Sequence, residues 1–126
     1  MGMGKTPIRD YKDLQVWQKS MELAKQIYEL TLGFPGEEKY GLVSQMRRAG
    51  VSAPSNIAEG QARNTTGEFV QFISHAKGSL AELDTQPRLA RLLGLCAQID
   101  TGRISARIRE LQKMLKSLRR SLGSGH

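Results

Sequence analysis

Apolar positions recur at steps of three and four through most of the chain, the spacing of one face of an α-helix. Between residues 12 and 32 two such rows run side by side. One is Leu14, Trp17, Met21, Ala24, Tyr28 and Thr31; the other is Val16, Ser20, Leu23, Ile27 and Leu30. Together they cover roughly half the helix circumference, whereas a bundle helix needs a stripe of about 100°. The surplus predicts a helix that touches more than its own bundle. Asp10 is placed to cap it, and Gly33 and Pro35 to end it. A second helix is predicted over 37–62, with Glu37 and Glu38 at its positive end and Leu42, Met46, Ala49, Ala53 and Ile57 as its apolar face. From Ala49 to Ala58 no residue is charged and most are small, which predicts burial and close backbone approach. Pro54 predicts a kink, or two shorter helices meeting there.

A third helix is predicted over 66–93. Thr65-Thr66-Gly67-Glu68 is a capping-box sequence. Phe69, Phe72, Ile73, Ala76, Leu80, Leu83, Ala90 and Leu93 form the stripe, Pro87 a second kink, and Gly94 the C-terminal cap. A fourth helix over 101–122, capped by Asp100, carries Ile104, Ile108, Leu111, Leu115, Leu118 and Leu122 at coiled-coil spacing. No stretch sustains a period of two, so no sheet is predicted. Four helices with short connections make an all-α, antiparallel up-and-down four-helix bundle over 12–122. Residues 1–11 are read as a disordered leader and 123–126 as a frayed tail.

Composition narrows the class. The chain of 126 residues is the size of one domain. It has no apolar run long enough to span a membrane. A single cysteine, Cys96, makes no internal disulfide, so a reducing, cytoplasmic compartment is expected. Gly4-Lys5-Thr6 resembles the tail of a phosphate-binding loop but lacks its first glycine and its strand. Met1-Gly2 with Thr6 fits a myristoylation pattern only loosely.

Charge is where the chain becomes uneven. Residues 1–100 hold 12 Lys+Arg against 11 Asp+Glu, but residues 101–126 hold 7 against Glu110 alone. On a helical wheel Arg109, Lys113, Lys116 and Arg120 fall within roughly 60° of one another, opposite the leucine stripe. Arg107 and Arg119 flank its apolar edge. A one-signed row of this kind points to a polyanion. With no aromatic residue interleaved, phosphate contact is the natural chemistry, and base stacking is not. A merely solvated face and an acidic protein partner are the competing readings.

Two polar ladders stand elsewhere: Gln45, Arg48, Ser52, Asn56, Glu59 and Arg63 on the second helix, and His75, Ser79, Glu82 and Gln86 on the third. Gln45, Asn56, Glu59, Arg63, Ser79 and Glu82 are read as an interhelix network that fixes register rather than as catalysts. His75 and His126 are the only histidines, and neither has metal-ligand spacing. No nucleophile–base pair is present, so neither an enzyme, a metal nor a cofactor is expected.

The blocks Asp13-Leu14, Val16-Trp17-Gln18, Phe34-Pro35, Tyr40-Gly41-Leu42, Ser44-Gln45 and Arg47-Arg48-Ala49 combine with Val51-Ser52-Ala53-Pro54-Ser55-Asn56-Ile57-Ala58-Glu59-Gly60 and Arg63. Glu68-Phe69, Ala76, Gly78-Ser79 and Glu82-Leu83 follow. Over roughly residues 11–95 this set resembles the bacterial four-helix bundle proteins encoded in intervening sequences of 23S ribosomal RNA genes, to which the accessory protein of diversity-generating retroelements is related. The resemblance implies a homopentameric ring without enzymatic activity. In the relative it implies a basic nucleic-acid-binding surface and a reverse-transcriptase partner. Pro87 departs from the family's usual aliphatic residue. The expectation is therefore a self-associating bundle that binds RNA or DNA, RNA first, through the fourth helix with Arg47 and Arg48. The alternative is an adaptor for a protein partner such as a reverse transcriptase, with an enzyme third.

Overall fold

The structure is a computed structural model that describes residues 10–123. A 3-10 turn at Tyr11–Asp13 leads into α1 (Gln15–Thr31). A second 3-10 turn at Gly36–Glu38 precedes α2 (Leu42–Gln61), followed by α3 (Thr66–Leu92) and α4 (Gln98–Gly123). There is no strand among the described residues. The phosphate-loop and myristoylation patterns and His126 fall outside the described residues.

The termini depart from expectation in instructive ways. Asp10 caps, but it caps the 3-10 turn: its side chain accepts from the Lys12 amide while Asp13 bonds back to the Asp10 amide. Extended Leu14 then starts α1. Residues 10 and 11 therefore belong to the fold, not to a leader, and Gly123 closes α4 instead of opening a tail. Glu37 and Glu38 sit in the second 3-10 turn, so α2 begins at Leu42 and not at residue 37. Asp100 lies inside the first turn of α4, two residues past its start. α3 starts where Thr65 accepts from the Glu68 amide at 3.1 Å. It ends in a Schellman arrangement: Leu95 N donates to Ala90 O at 2.9 Å and Gly94 N to Arg91 O at 3.0 Å. That geometry needs the positive φ of 77° at Gly94. Both Pro54 and Pro87 lie buried within unbroken helices. The two-helix alternative at Pro54 is therefore not realised.

The helices form a square, α1 beside α2, α2 beside α3, α3 beside α4 and α4 beside α1. On the diagonals no Cα of α2 lies within 8 Å of one on α4, nor of α1 on α3. The contacts of α1 with α4 and of α2 with α3 run in opposite senses of the chain. Lys19 meets Glu110 and Glu22 meets Arg107; Ser52 meets Ser79 and Gly60 meets Phe72.

Val16, Ser20, Leu23 and Ile27 of α1, all five expected positions of α2, and Ile73, Ala76, Leu80, Leu83 and Ala90 of α3 are buried. With Ile104, Ile108, Leu111 and Leu115 of α4 they close the core, and Leu118 and Leu122 pack at its end. Leu93 was expected in the stripe but is 57% exposed, because it follows the last turn of α3. The other row of α1 borders α2 and emerges at the surface. Met21 and Tyr28 are exposed there beside Val51, and Trp17 and Tyr11 stack edge to face at 5.3 Å. The surplus apolar width of α1 is therefore an uncovered α1–α2 face.

Candidate nucleic-acid interface

The leucine stripe pins α4 by one side, so its opposite side must face water. Arg109, Lys113, Lys116 and Arg120 are all exposed there, and none makes an ion pair or side-chain hydrogen bond among the described residues. At a rise of 1.5 Å per residue the row spans about 16 Å. Glu110, the acid that could have quenched it, turns away: it receives the Lys19 ammonium of α1 and lies 3.7 Å from Arg107. The Lys19 hydrogen bond, with the Lys19 and Arg107 charges, holds the Glu110 carboxyl below its ordinary range despite some desolvation.

Arg107 does not join the row. Its guanidinium is 3.0 Å from Glu22 of α1 and is mostly covered. A cation already held by two carboxylates has little to offer a phosphate, so Arg107 is a clasp between α4 and α1. Arg119 is exposed but lies off the row. Arg47 is also spoken for: Nε donates to Thr31 Oγ1 at 2.9 Å and Nη2 to Tyr28 O at 3.4 Å, and the guanidinium stacks on the Tyr28 ring at 4.5 Å. It ties α2 to the last turn of α1, where carbonyls need donors. Arg48 is exposed and unpaired, but α2 is diagonal to α4. The expected union of Arg47 and Arg48 with the α4 row is therefore not formed.

Lys77 is an exposed cation of α3 that the sequence pattern did not single out. Asp84 of α3 accepts from Ser105 of α4 at 2.9 Å. Two helical turns up the same face of α3 stands Lys77, and two turns up α4 in the opposite sense stands Gln112. By helix periodicity, exposed Lys77 falls level with Gln112, next to Lys113 in sequence, on the α3 side of the seam. The helix-pair register carries this information, and no local pattern does.

The proposed interhelix network is only partly assembled. Ser52 Oγ and Ser79 Oγ share a hydrogen bond of 2.8 Å across α2 and α3. Asn56 Nδ2 donates to Ser52 O at 2.9 Å and to Ser52 Oγ at 3.0 Å. Glu59 and Arg63 pair along α2 at 2.8 Å, and Arg63 also lies over the Phe72 ring of α3 at 4.7 Å. Gln45 and Glu82 are exposed, and their side chains make no hydrogen bond among the described residues, so they do not join it. The denser polar link lies elsewhere, between α3 and α4, where Arg88 Nη2 donates to Ser105 Oγ at 3.1 Å and also pairs with Asp84.

Among the described residues no group of three or more His, Cys, Asp or Glu could hold a metal ion, and no helix is long and apolar enough to cross a membrane. Cys96 Sγ is half-buried, 3.7 Å from Pro87 O. A family model described as 23S rRNA-intervening sequence protein matches residues 12–117. No curated protein matches the chain significantly.

Proposed function

We propose, from the premise that this chain belongs to the 23S rRNA-intervening sequence protein family, that it is a non-enzymatic, self-associating bundle that binds nucleic-acid backbones, RNA first. The observation that carries this is the α4 row. Arg109, Lys113, Lys116 and Arg120 are exposed and unpaired, while the one nearby acid is bound to α1. Lys77 extends the same surface. Contacts would be made to phosphates and would be weakly sequence-specific. Self-association falls to the α1–α2 face. Its exposed Met21, Tyr28 and Val51, beside Trp17, have the Met- and aromatic-rich make-up of interface cores. That face lies on the opposite side of the bundle from the α3–α4 seam, so both surfaces can be occupied at once. A pentameric ring would repeat the row on every subunit and raise avidity for a long polyanion.

The experiment is fluorescence anisotropy with duplex RNA and duplex DNA across a salt series, with light scattering for the assembly state. Four neutralised phosphates per subunit make log affinity fall with log salt with a slope of roughly −3.6 on a duplex. The variant with all four α4 cations changed to Gln should keep its helicity and its oligomer and lose most binding. Undiminished binding by that variant would move the site. No binding by the unaltered protein at low salt would favour the second reading, a protein adaptor. That reading draws on the exposed Leu92, Leu93 and Ile99 at the α3–α4 turn. A monomer at micromolar concentration would overturn the self-association.

A further inference from the structure

Two exposed residues have no part in the α4 row: Arg48 of α2, and Tyr40 in the turn before that helix, 88% exposed. Both line an open groove of about 590 Å³ on the outer side of α2, together with Tyr28 of α1, Lys39, Val43, Arg47 and Val51. Val43, Arg47 and Val51 recur at every fourth position, so the groove follows one side of the helix.

The groove combines aliphatic surface with cations. Val43 is buried in its floor, and Val51 is half-exposed. Three of the lining residues are cations and none is an acid. Glu38, the acid beside Lys39 in sequence, is turned to the start of α2, where it accepts from the Leu42 amide at 3.3 Å. Arg47 is held by Thr31. Lys39 and Arg48 are exposed and have no ion pair among the described residues.

We propose that this groove docks an acidic, extended segment of a partner protein, with an aliphatic side chain on Val43 and Val51 and flanking carboxylates on Lys39 and Arg48. Charge complementarity selects the acid, and the valines select the aliphatic anchor. A nucleic-acid strand is the poorer fit. Single strands stack their bases on open aromatic faces. Here the Arg47 guanidinium lies over the Tyr28 ring at 4.5 Å and the Lys39 ammonium over the Tyr40 ring at 5.5 Å, so one face of each ring is taken. Valines give a base nothing to stack on. Tyr28 and Val51 are shared with the face assigned to self-association above, so a docked segment would compete with a neighbouring copy there. The docking itself rests on neither self-association nor the α4 row.

The test is fluorescence anisotropy of the labelled, blocked pentapeptide Glu-Glu-Leu-Glu-Glu titrated with the full-length protein. Glu-Glu-Gly-Glu-Glu, Lys-Lys-Leu-Lys-Lys and a single-stranded oligouridine serve as controls. Saturable binding is expected, roughly tenfold or more tighter than for the glycine peptide, which lacks the anchor. The lysine peptide should not bind. Arg48→Gln should weaken binding roughly two- to fivefold, the share of an exposed ion pair. Val51→Asp, at a half-exposed position, should weaken it about tenfold or more with helicity unchanged. The variant with all four α4 cations changed to Gln should bind as the parent does, which separates docking from general attraction to a chain of net charge +7. Equal affinity for the leucine and glycine peptides would overturn the proposal. So would binding unchanged in Arg48→Gln or Val51→Asp, or lost with the α4 cations. Oligouridine that binds more tightly than the peptide and weakens in Arg48→Gln would make the groove a nucleic-acid site instead.

Discussion

Changing Gly60 to Ala isolates how closely α2 and α3 approach. An added Cβ would lie 2.7 Å from Phe72 Cβ, 3.0 Å from Phe69 Cδ1 and 3.4 Å from the Phe69 carbonyl oxygen. Phe72 Cβ is fixed to its backbone, so no rotamer change relieves the closest contact; the helices must separate by several tenths of an ångström. Overpacking of this kind costs about 1–3 kcal/mol. Against it stands the gain of replacing a helical glycine, about 0.5–1 kcal/mol. The expected net is a loss of up to about 2 kcal/mol. Gly102 of α4 provides the control, for an added Cβ there meets nothing within 4 Å. Gly102→Ala should therefore gain about 0.5–1 kcal/mol. In thermal unfolding at one fixed protein concentration, each kcal/mol moves Tm by roughly 4 °C. The two alanines should thus shift the midpoint in opposite directions. A Gly60→Ala protein as stable as the parent, or equal stabilisation at both sites, would refute the claim that backbone proximity dictates glycine at 60.

Leu111→Ala removes a fully buried side chain at the centre of the core and should cost about 2–5 kcal/mol in chemical denaturation. Lys77→Gln should leave unfolding unchanged and lower the log–log salt slope of RNA binding by roughly 0.7–0.9, the share of one phosphate. The Lys19 hydrogen bond holds the Glu110 carboxyl below the ordinary carboxylate value of about 4.5. Its contribution to stability should therefore be complete above that value and fade as pH falls through the lowered one. Glu110→Gln should flatten that acid limb in a pH series of unfolding midpoints, and added salt should mimic the substitution.

Helix number and core were legible because both are written in short-range periodicity. Each expected α2 core position is buried, and Gly94 does end α3. The α4 row was legible too, since a stripe at one end of the wheel and charges at the other leave a single way to face. What failed were inferences that needed the register of one helix against another. Nothing local says that Arg107 meets Glu22 or that Arg47 reaches Thr31. Nor does spacing reveal that Gln45 and Glu82 are left on a rim while Asp84, Arg88 and Ser105 make the real cross-link. Helix starts erred where 3-10 turns intervened, because Asp10 and Glu37 are equally good first-turn residues for either kind of helix.

The diagonal separation of α2 from α4 has an evolutionary corollary. No Cα of α4 lies within 8 Å of one on α2, so substitutions on the outer face of α4 should combine with those at Val51 of α2 by simple addition. On the function proposed above, a lineage would then be able to drift in the polyanion it prefers by exchanging Lys, Arg and Gln along α4 without retuning how its copies assemble. It would equally be able to alter stoichiometry through Val51 while leaving that preference in place. The square arrangement would keep these two traits separately heritable within a single small domain.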